Sequence, residues 1–163
     1  MLRDPTERVL SLYAYAFLPR HYLAGAVKGM TVRQYVESGV TLTADNGMVR
    51  QLCGDDNFLR EPYADMLIPF GQITRQHLER AKRNLERCAV VGVAEDFDGM
   101  MRVCQRRLGW RIPAYANQNV TRWQRPKREG LDAGTLQAIE DRNRLDVELY
   151  EHARVLGLAQ GGQ

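Results

Sequence analysis

The sequence predicts an α/β layer fold, mostly helical as given, with one buried parallel strand over about residues 88–94. Three observations carry that expectation. Cys88-Ala-Val-Val-Gly-Val-Ala94 is a continuous apolar run without period-two alternation, the pattern of a strand covered on both faces. A helical period stands directly before it and another directly after, the succession that builds α/β layers. The chain has 163 residues, 44% hydrophobic and 26% charged, with 14 Gly and 6 Pro. That composition excludes disorder, collagen and low-complexity classes, and the length suffices to bury about two-thirds of the unfolded surface.

The first helix opens at Asp4-Pro5-Thr6-Glu7, which supplies an N-cap Asp, Pro at the first helical position and a Glu three residues after the cap. It runs to about Leu18, with Val9, Leu10, Tyr13 and Phe17 on its apolar side, and stops at Pro19. A short helix follows over Val32–Ser38, ended by Gly39, and another around Gly47–Cys53. Thr74 caps a helix reaching about Glu86, with Leu78, Ala81 and Leu85 inward and Arg outward. After the strand, Asp96-Phe97-Asp98 starts a helix closed by Gly109. An irregular stretch spans Trp110–Gly130, and a last helix covers about Ala133–Leu156. Residues 1–158 read as one domain and 159–163 as a flexible tail. A parallel strand needs parallel neighbours, and Met1-Leu2 is the one further hint of extended chain.

Net charge is +3 but unevenly spread, at −1 over residues 1–74, +8 over 75–128 and −4 over 129–163. Twenty of the 23 basic residues are Arg, whose planar fork matches phosphate and sulfate oxygens. The longest stretch free of Asp, Glu, Lys and Arg is Val9–Pro19, 11 residues, against the roughly 18 that a membrane span requires. Cys53, Cys88 and Cys104 are an odd count without CxxC spacing, which points to the reducing cytoplasm and away from structural zinc. His21, His77 and His152 have no second ligand at helical spacing, so no metal site is proposed.

The densest polar constellation is Arg3-Asp4-Pro5-x-x-Arg8-x-x-Ser11. Arg8 and Ser11 share a helix face, and Arg3 sits just ahead of a first turn whose free N–H groups favour an anion. Two readings stand: these residues hold a phosphate, or Arg3 and Arg8 pair with Asp4 and Glu7. A second basic cluster is Arg122-Trp123-Gln124-Arg125-Pro126-Lys127-Arg128, either an anion-binding loop or a solvated one with Trp123 in the core. Asn143 and Asp146 fall on the inward stripe Leu136, Ile139, Asn143, Asp146, Tyr150, Ala153, so each needs a buried partner. Glu95, just after the strand, faces either a ligand at the strand's carboxyl end or an Arg of the first helix.

Leu2-Arg3-Asp4-Pro5-Thr6-Glu7-Arg8-Val9-Leu10-Ser11 resembles the 3′-phosphate-binding segment of sulfotransferases that use 3′-phosphoadenosine-5′-phosphosulfate (PAPS). Three further segments resemble the carbohydrate branch of that family, nearest the heparan sulfate 2-O-sulfotransferases. They are Asp45-Asn46-Gly47-Met48-Val49-Arg50-Gln51-Leu52-Cys53-Gly54, Val91-Gly92-Val93-Ala94-Glu95-Asp96-Phe97 and Asn143-x-x-Asp146-x-x-Leu149-Tyr150. Met48 stands where Gln is common. The resemblance implies the C-terminal part of a P-loop-like sulfotransferase domain, with PAPS as co-substrate, 3′,5′-adenosine bisphosphate (PAP) as product and a carbohydrate as acceptor. It implies Arg3 and Ser11 on the 3′-phosphate, beside which the spacing sets Arg8, and Arg125, Lys127 and Arg128 on that phosphate or the acidic acceptor.

The Gly-rich phosphosulfate loop and the His or Glu base of the family lie upstream of the Arg-Asp-Pro segment, and no counterpart stands here. Gly25-Ala26-Val27-Lys28-Gly29 lacks the spacing. The chain thus reads as a fragment that lacks turnover, with the catalytic residue unknown and an exposed sheet edge open to self-association. Two rival functions stay open: an inactive nucleotide- or sulfated-glycan-binding module, and an Arg-rich nucleic-acid-binding domain. The favoured partner is a carbohydrate, not nucleic acid.

Overall fold

Asp4 caps the first helix by accepting a hydrogen bond from the Glu7 amide at 2.9 Å, with Pro5 in the first turn. In the computed structural model, which describes residues 1–54, 68–115 and 125–161, this helix, α1, spans Pro5–Ala16. It is followed by α2 (Ala24–Val27), α3 (Val32–Glu37), α4 (Gly47–Cys53) and α5 (Arg75–Glu86). Then come α6 (Phe97–Leu108), α7 (Ala133–Arg142) and α8 (Arg144–Gly161). Thr31 and Gln34 close a capping box on α3, Asp96 caps α6 and Asp132 caps α7. Gly54 and Gly109 end α4 and α6 in the left-handed conformation that a side chain resists.

Two apolar clusters sit under these helices. One joins α4, α5 and α8 through Met48, Val49, Leu78, Leu85, Leu149 and Ala153, with Leu2 and Val91 at its border. The other joins α1, α3 and α7 through Val9, Leu10, Tyr35, Val36 and Ile139. No described helix is long and apolar enough to cross a membrane.

The parallel strand expected over residues 88–94 does not form. Leu2 and Val93 make one isolated parallel bridge, and no strand exists among the described residues. Leu2 N donates to Gly92 O at 2.9 Å and Ala94 N to Leu2 O at 2.7 Å. Cys88 and Ala89 are exposed, and the buried part shrinks to Val91 and Gly92. The reason is non-local: a ladder needs extended partners, and among the described residues the pairing is limited to Leu2 with Val93. The Val91 amide donates instead to the Gln160 side chain of α8 at 2.9 Å. The sheet edge on which self-association was to rest is therefore absent among the described residues, and the fold there is helical, not α/β.

Two helices replace the single one expected over residues 133–156. The chain breaks at Asn143, whose amide donates to both Ile139 O and Glu140 O. α8 also continues through Gly161, taking in residues read as a tail. Arg106 donates to Gly161 O at 2.9 Å.

Candidate functional site

The buried polar residues of α4 and α8 form a reciprocal cap. Asn46 adopts a left-handed backbone, φ 46°, and its Oδ1 accepts from Leu145 N at 2.9 Å and Asp146 N at 3.2 Å, capping α8. Asp146 returns the interaction, accepting from Met48 N at 3.0 Å and Val49 N at 2.8 Å, the free amides of α4. Asn143 completes the seam by donating to Ala44 O at 3.1 Å and accepting from Asn46 N at 3.2 Å. Asn143 and Asp146 thus find the buried partners that their inward stripe demanded. Burial pushes the Asp146 carboxyl above its ordinary value, opposed by the charge of Arg8 and by those two amides. Beside it, Asp45 and Arg50 form a buried ion pair at 2.6 Å, and Arg50 also donates to Ile68 O and Pro69 O.

This seam decides where Arg8 goes. Its guanidinium donates to Thr43 O at 2.8 Å, and a Cβ on Gly47 would stand 2.5 Å from its terminal nitrogens. Arg8 therefore points toward Thr43 and the start of α4.

Arg3, Arg125 and Arg128 converge on the first turn of α1. Arg3 approaches Glu7 at 3.9 Å. Arg125 donates to both the backbone oxygen and the carboxylate of Glu7. Arg128 lies 3.9 Å from Asp4 and 3.6 Å from Glu140 of α7. Arg3 thus stands within ion-pair distance of Glu7, while Arg8 is turned to Thr43. Arg125 Nε is buried without a hydrogen-bond partner, and a buried donor left unmade costs about 1–3 kcal/mol. Ser11 is half-buried one turn beyond Glu7 on α1. Lys127 is exposed and makes no ion pair among the described residues. Trp123 lies outside the described residues.

Glu95 fixes the approach to that turn. Its carboxylate accepts from Asp4 N at 3.0 Å and from the Tyr150 hydroxyl at 2.9 Å, in place of the α1 Arg considered from sequence. Burial, then the bond to Glu95, pushes the Tyr150 hydroxyl up to about 12, so it stays a donor at neutral pH. A cleft of about 380 Å³ opens here, lined by Asp4, Thr6, Arg128, Arg144 and Tyr150 among others.

Curated relatives match nearly all of this chain. Heparan-sulfate 6-O-sulfotransferase 1-A of Danio rerio is 29% identical over 176 residues, 94% of this chain and 41% of its own length. The chain is similar to heparan-sulfate 6-O-sulfotransferases. Heparan-sulfate 6-O-sulfotransferase 1 of Homo sapiens is 28% identical over 178 residues, 96% of this chain and 42% of its own length. Heparan-sulfate 6-O-sulfotransferase 3 of Homo sapiens is 26% identical over 185 residues, 96% of this chain and 36% of its own length. The chain spans about two-fifths of these curated relatives. They support the carbohydrate sulfotransferase resemblance and name the 6-O position, whereas the motifs alone pointed toward the 2-O branch. No protein-family profile matches the chain, and no solved structure does.

Proposed function

We propose that the chain is the nucleotide-gripping part of a carbohydrate sulfotransferase, in which Arg3, Ser11, Arg125, Lys127 and Arg128 hold the 3′-phosphate of PAPS. The observation that carries this reading is the convergence of Arg125 and Arg128 on the first turn of α1 beside Arg3, leaving the buried Arg125 N–H without an acceptor. A phosphate oxygen would satisfy that donor and draw the guanidinium groups from Glu7 and Asp4. The similarity to heparan-sulfate 6-O-sulfotransferases supplies the acceptor class, an acidic polysaccharide hydroxyl.

In such a transfer the acceptor oxygen attacks sulfur, the bond from sulfur to the phosphate oxygen breaks in line, and the acceptor proton passes to a base. PAP departs with the developed charge. Residues that hold PAP lower the cost of that departure, as fixed cations do in phosphoryl transfer. Arg8 acts at one remove, holding α1 against Thr43 and α4.

Titration calorimetry with PAP tests the reading. Arg3→Ala and Arg125→Ala are each expected to weaken binding by roughly 10- to 150-fold, the cost of a charge-assisted hydrogen bond, and Ser11→Ala by less. Unchanged affinity in folded Arg3→Ala and Arg125→Ala would assign both residues to ion pairing with Glu7 alone. A generic oligonucleotide that matched PAP in affinity, with a steep salt dependence, would favour nucleic acid instead.

A further inference from the structure

The turn after α1 carries a surface that the nucleotide grip does not use. Tyr15 meets the His21 ring edge-on, 4.6 Å between centroids, and His21 meets Tyr22 at 4.6 Å with a 37° tilt. Tyr15 is 57% exposed and Tyr22 56%, so two of three touching rings show much of their area to water. The backbone holds them in place. Leu18 N donates to Tyr15 O at 3.1 Å, His21 N to Leu18 O at 2.8 Å and Ala24 N to His21 O at 2.9 Å. Leu23 N donates to His21 Nδ1 at 3.2 Å, so the neutral ring carries its proton on Nε2 and cannot turn without losing a bond.

The charge along this stretch of chain has one sign. From Arg8 to Val36 the sequence contains no Asp or Glu, but Arg8, Arg20, Lys28, Arg33 and His21. Arg8 is turned to Thr43 and Arg33 pairs with Glu37. Arg20 and Lys28 are exposed without an ion pair among the described residues. Ser11 and Tyr15 share a face of α1, one turn and about 6 Å apart, so the rings continue the surface on which the nucleotide grip lies.

An aromatic face carries negative charge density and attracts the positively polarised C–H groups of a sugar ring. Arg20 and Lys28, exposed on the same stretch of chain, suit carboxylates or sulfates spaced along a ligand. A single-stranded nucleic acid would instead want a continuous basic groove tracking its phosphates. We propose that Tyr15, His21 and Tyr22, with Arg20 and Lys28, form a stacking platform for an acidic oligosaccharide. The identity of that ligand as the acceptor rests on the sulfotransferase reading above.

The test is calorimetry on the full chain with a heparin octasaccharide, maltooctaose, a 16-residue oligothymidylate and PAP. Tyr15→Ala and Tyr22→Ala are each expected to weaken octasaccharide binding about 3- to 10-fold, an aromatic contact's worth. Tyr15→Phe, which keeps the ring, should stay within about twofold, and maltooctaose should bind more weakly than the octasaccharide because it lacks charge. PAP affinity should be the same in these variants, while Arg3→Ala should lose PAP and keep the octasaccharide. Alanine variants that bind the octasaccharide like the parent overturn the platform, as does oligothymidylate binding that equals the octasaccharide and is lost with the same rings. A self-association abolished by Tyr15→Ala, with no octasaccharide bound, would also overturn it in favour of a second copy. Loss of PAP binding with octasaccharide retained would instead refute the nucleotide reading and leave the platform standing. Should Tyr15→Ala fail to fold, the comparison of Tyr22→Ala with Tyr22→Phe decides in the same way.

Discussion

Asn46 shows how much one residue can hold. It sits at φ 46°, a region where a Cβ costs about 1–2 kcal/mol and Asn is among the few side chains to enter readily. Its Oδ1 also satisfies two amides of α8, at Leu145 and Asp146. Asn46→Ala removes the acceptor, which costs roughly 1–3 kcal/mol for orphaned buried donors, and adds the backbone strain, so about 2–5 kcal/mol is expected. Asn46→Gly removes the acceptor alone and should be less destabilising by about 1 kcal/mol. Urea unfolding of both variants checks this, and equal losses would show that the left-handed backbone contributes nothing. None of this was legible in the sequence. The partners of Asn46 lie about a hundred residues away on α8, and no local pattern encodes that distance. That Arg3 and Arg128 come to the same first turn of α1, by contrast, agrees with the motif resemblance, which carries non-local information that spacing lacks.

At the scale of elements, helices were legible and the strand was not, for a physical reason. A helix satisfies its own backbone, so caps and period suffice to place it: Asp4, Asp96 and Asp132 each accept the amide three residues on. A strand depends on neighbours, and the apolar run at residues 88–94 says only that it avoids water. Asn143 broke the last helix for the same kind of reason, since its side chain is committed to Ala44 and Asn46 outside the helix. The cap of α7 gives a pH signature. Hydrogen bonds from the Thr135 hydroxyl and amide hold Asp132 below its ordinary 3.8. A lowered acid stabilises the fold above its unfolded value and loses that contribution as pH falls through the folded one. Asp132→Ala should therefore lower Tm at about pH 6, and the gap to the parent should close as the pH falls below the ordinary 3.8 of a free carboxylate. A gap that persists at the acid end would mean the cap works without its charge. Asp146 runs the other way: its raised carboxyl contributes more below the unfolded value and less as pH rises.

Across the whole molecule, part of the uneven charge of the sequence is paired in space. The +8 middle segment meets the −4 final one through Arg75 and Glu148 and through Arg128 and Glu140. The same distribution sets an expectation for turnover. The nearest imitation of a phosphosulfate loop, Gly25–Gly29, follows a turn from His21 and includes most of the four-residue helix α2, so no strand feeds it. Losing one donor to the moving group typically costs about 100- to 1000-fold in rate, and a missing base perhaps 100- to 10,000-fold, with effects that need not add. The 163-residue chain is therefore expected to bind PAP yet transfer no sulfuryl group above background. A radiolabelled PAPS assay with heparan, chondroitin and simple sugar acceptors measures it. Transfer at an ordinary enzymatic rate, about 1 per second or faster, would refute this expectation and place the base within these residues. Glu95→Gln and His21→Ala would then be the first variants to compare, because Glu95 sits at the entry to the Arg3 turn and His21 on the surface that Ser11 and Tyr15 share.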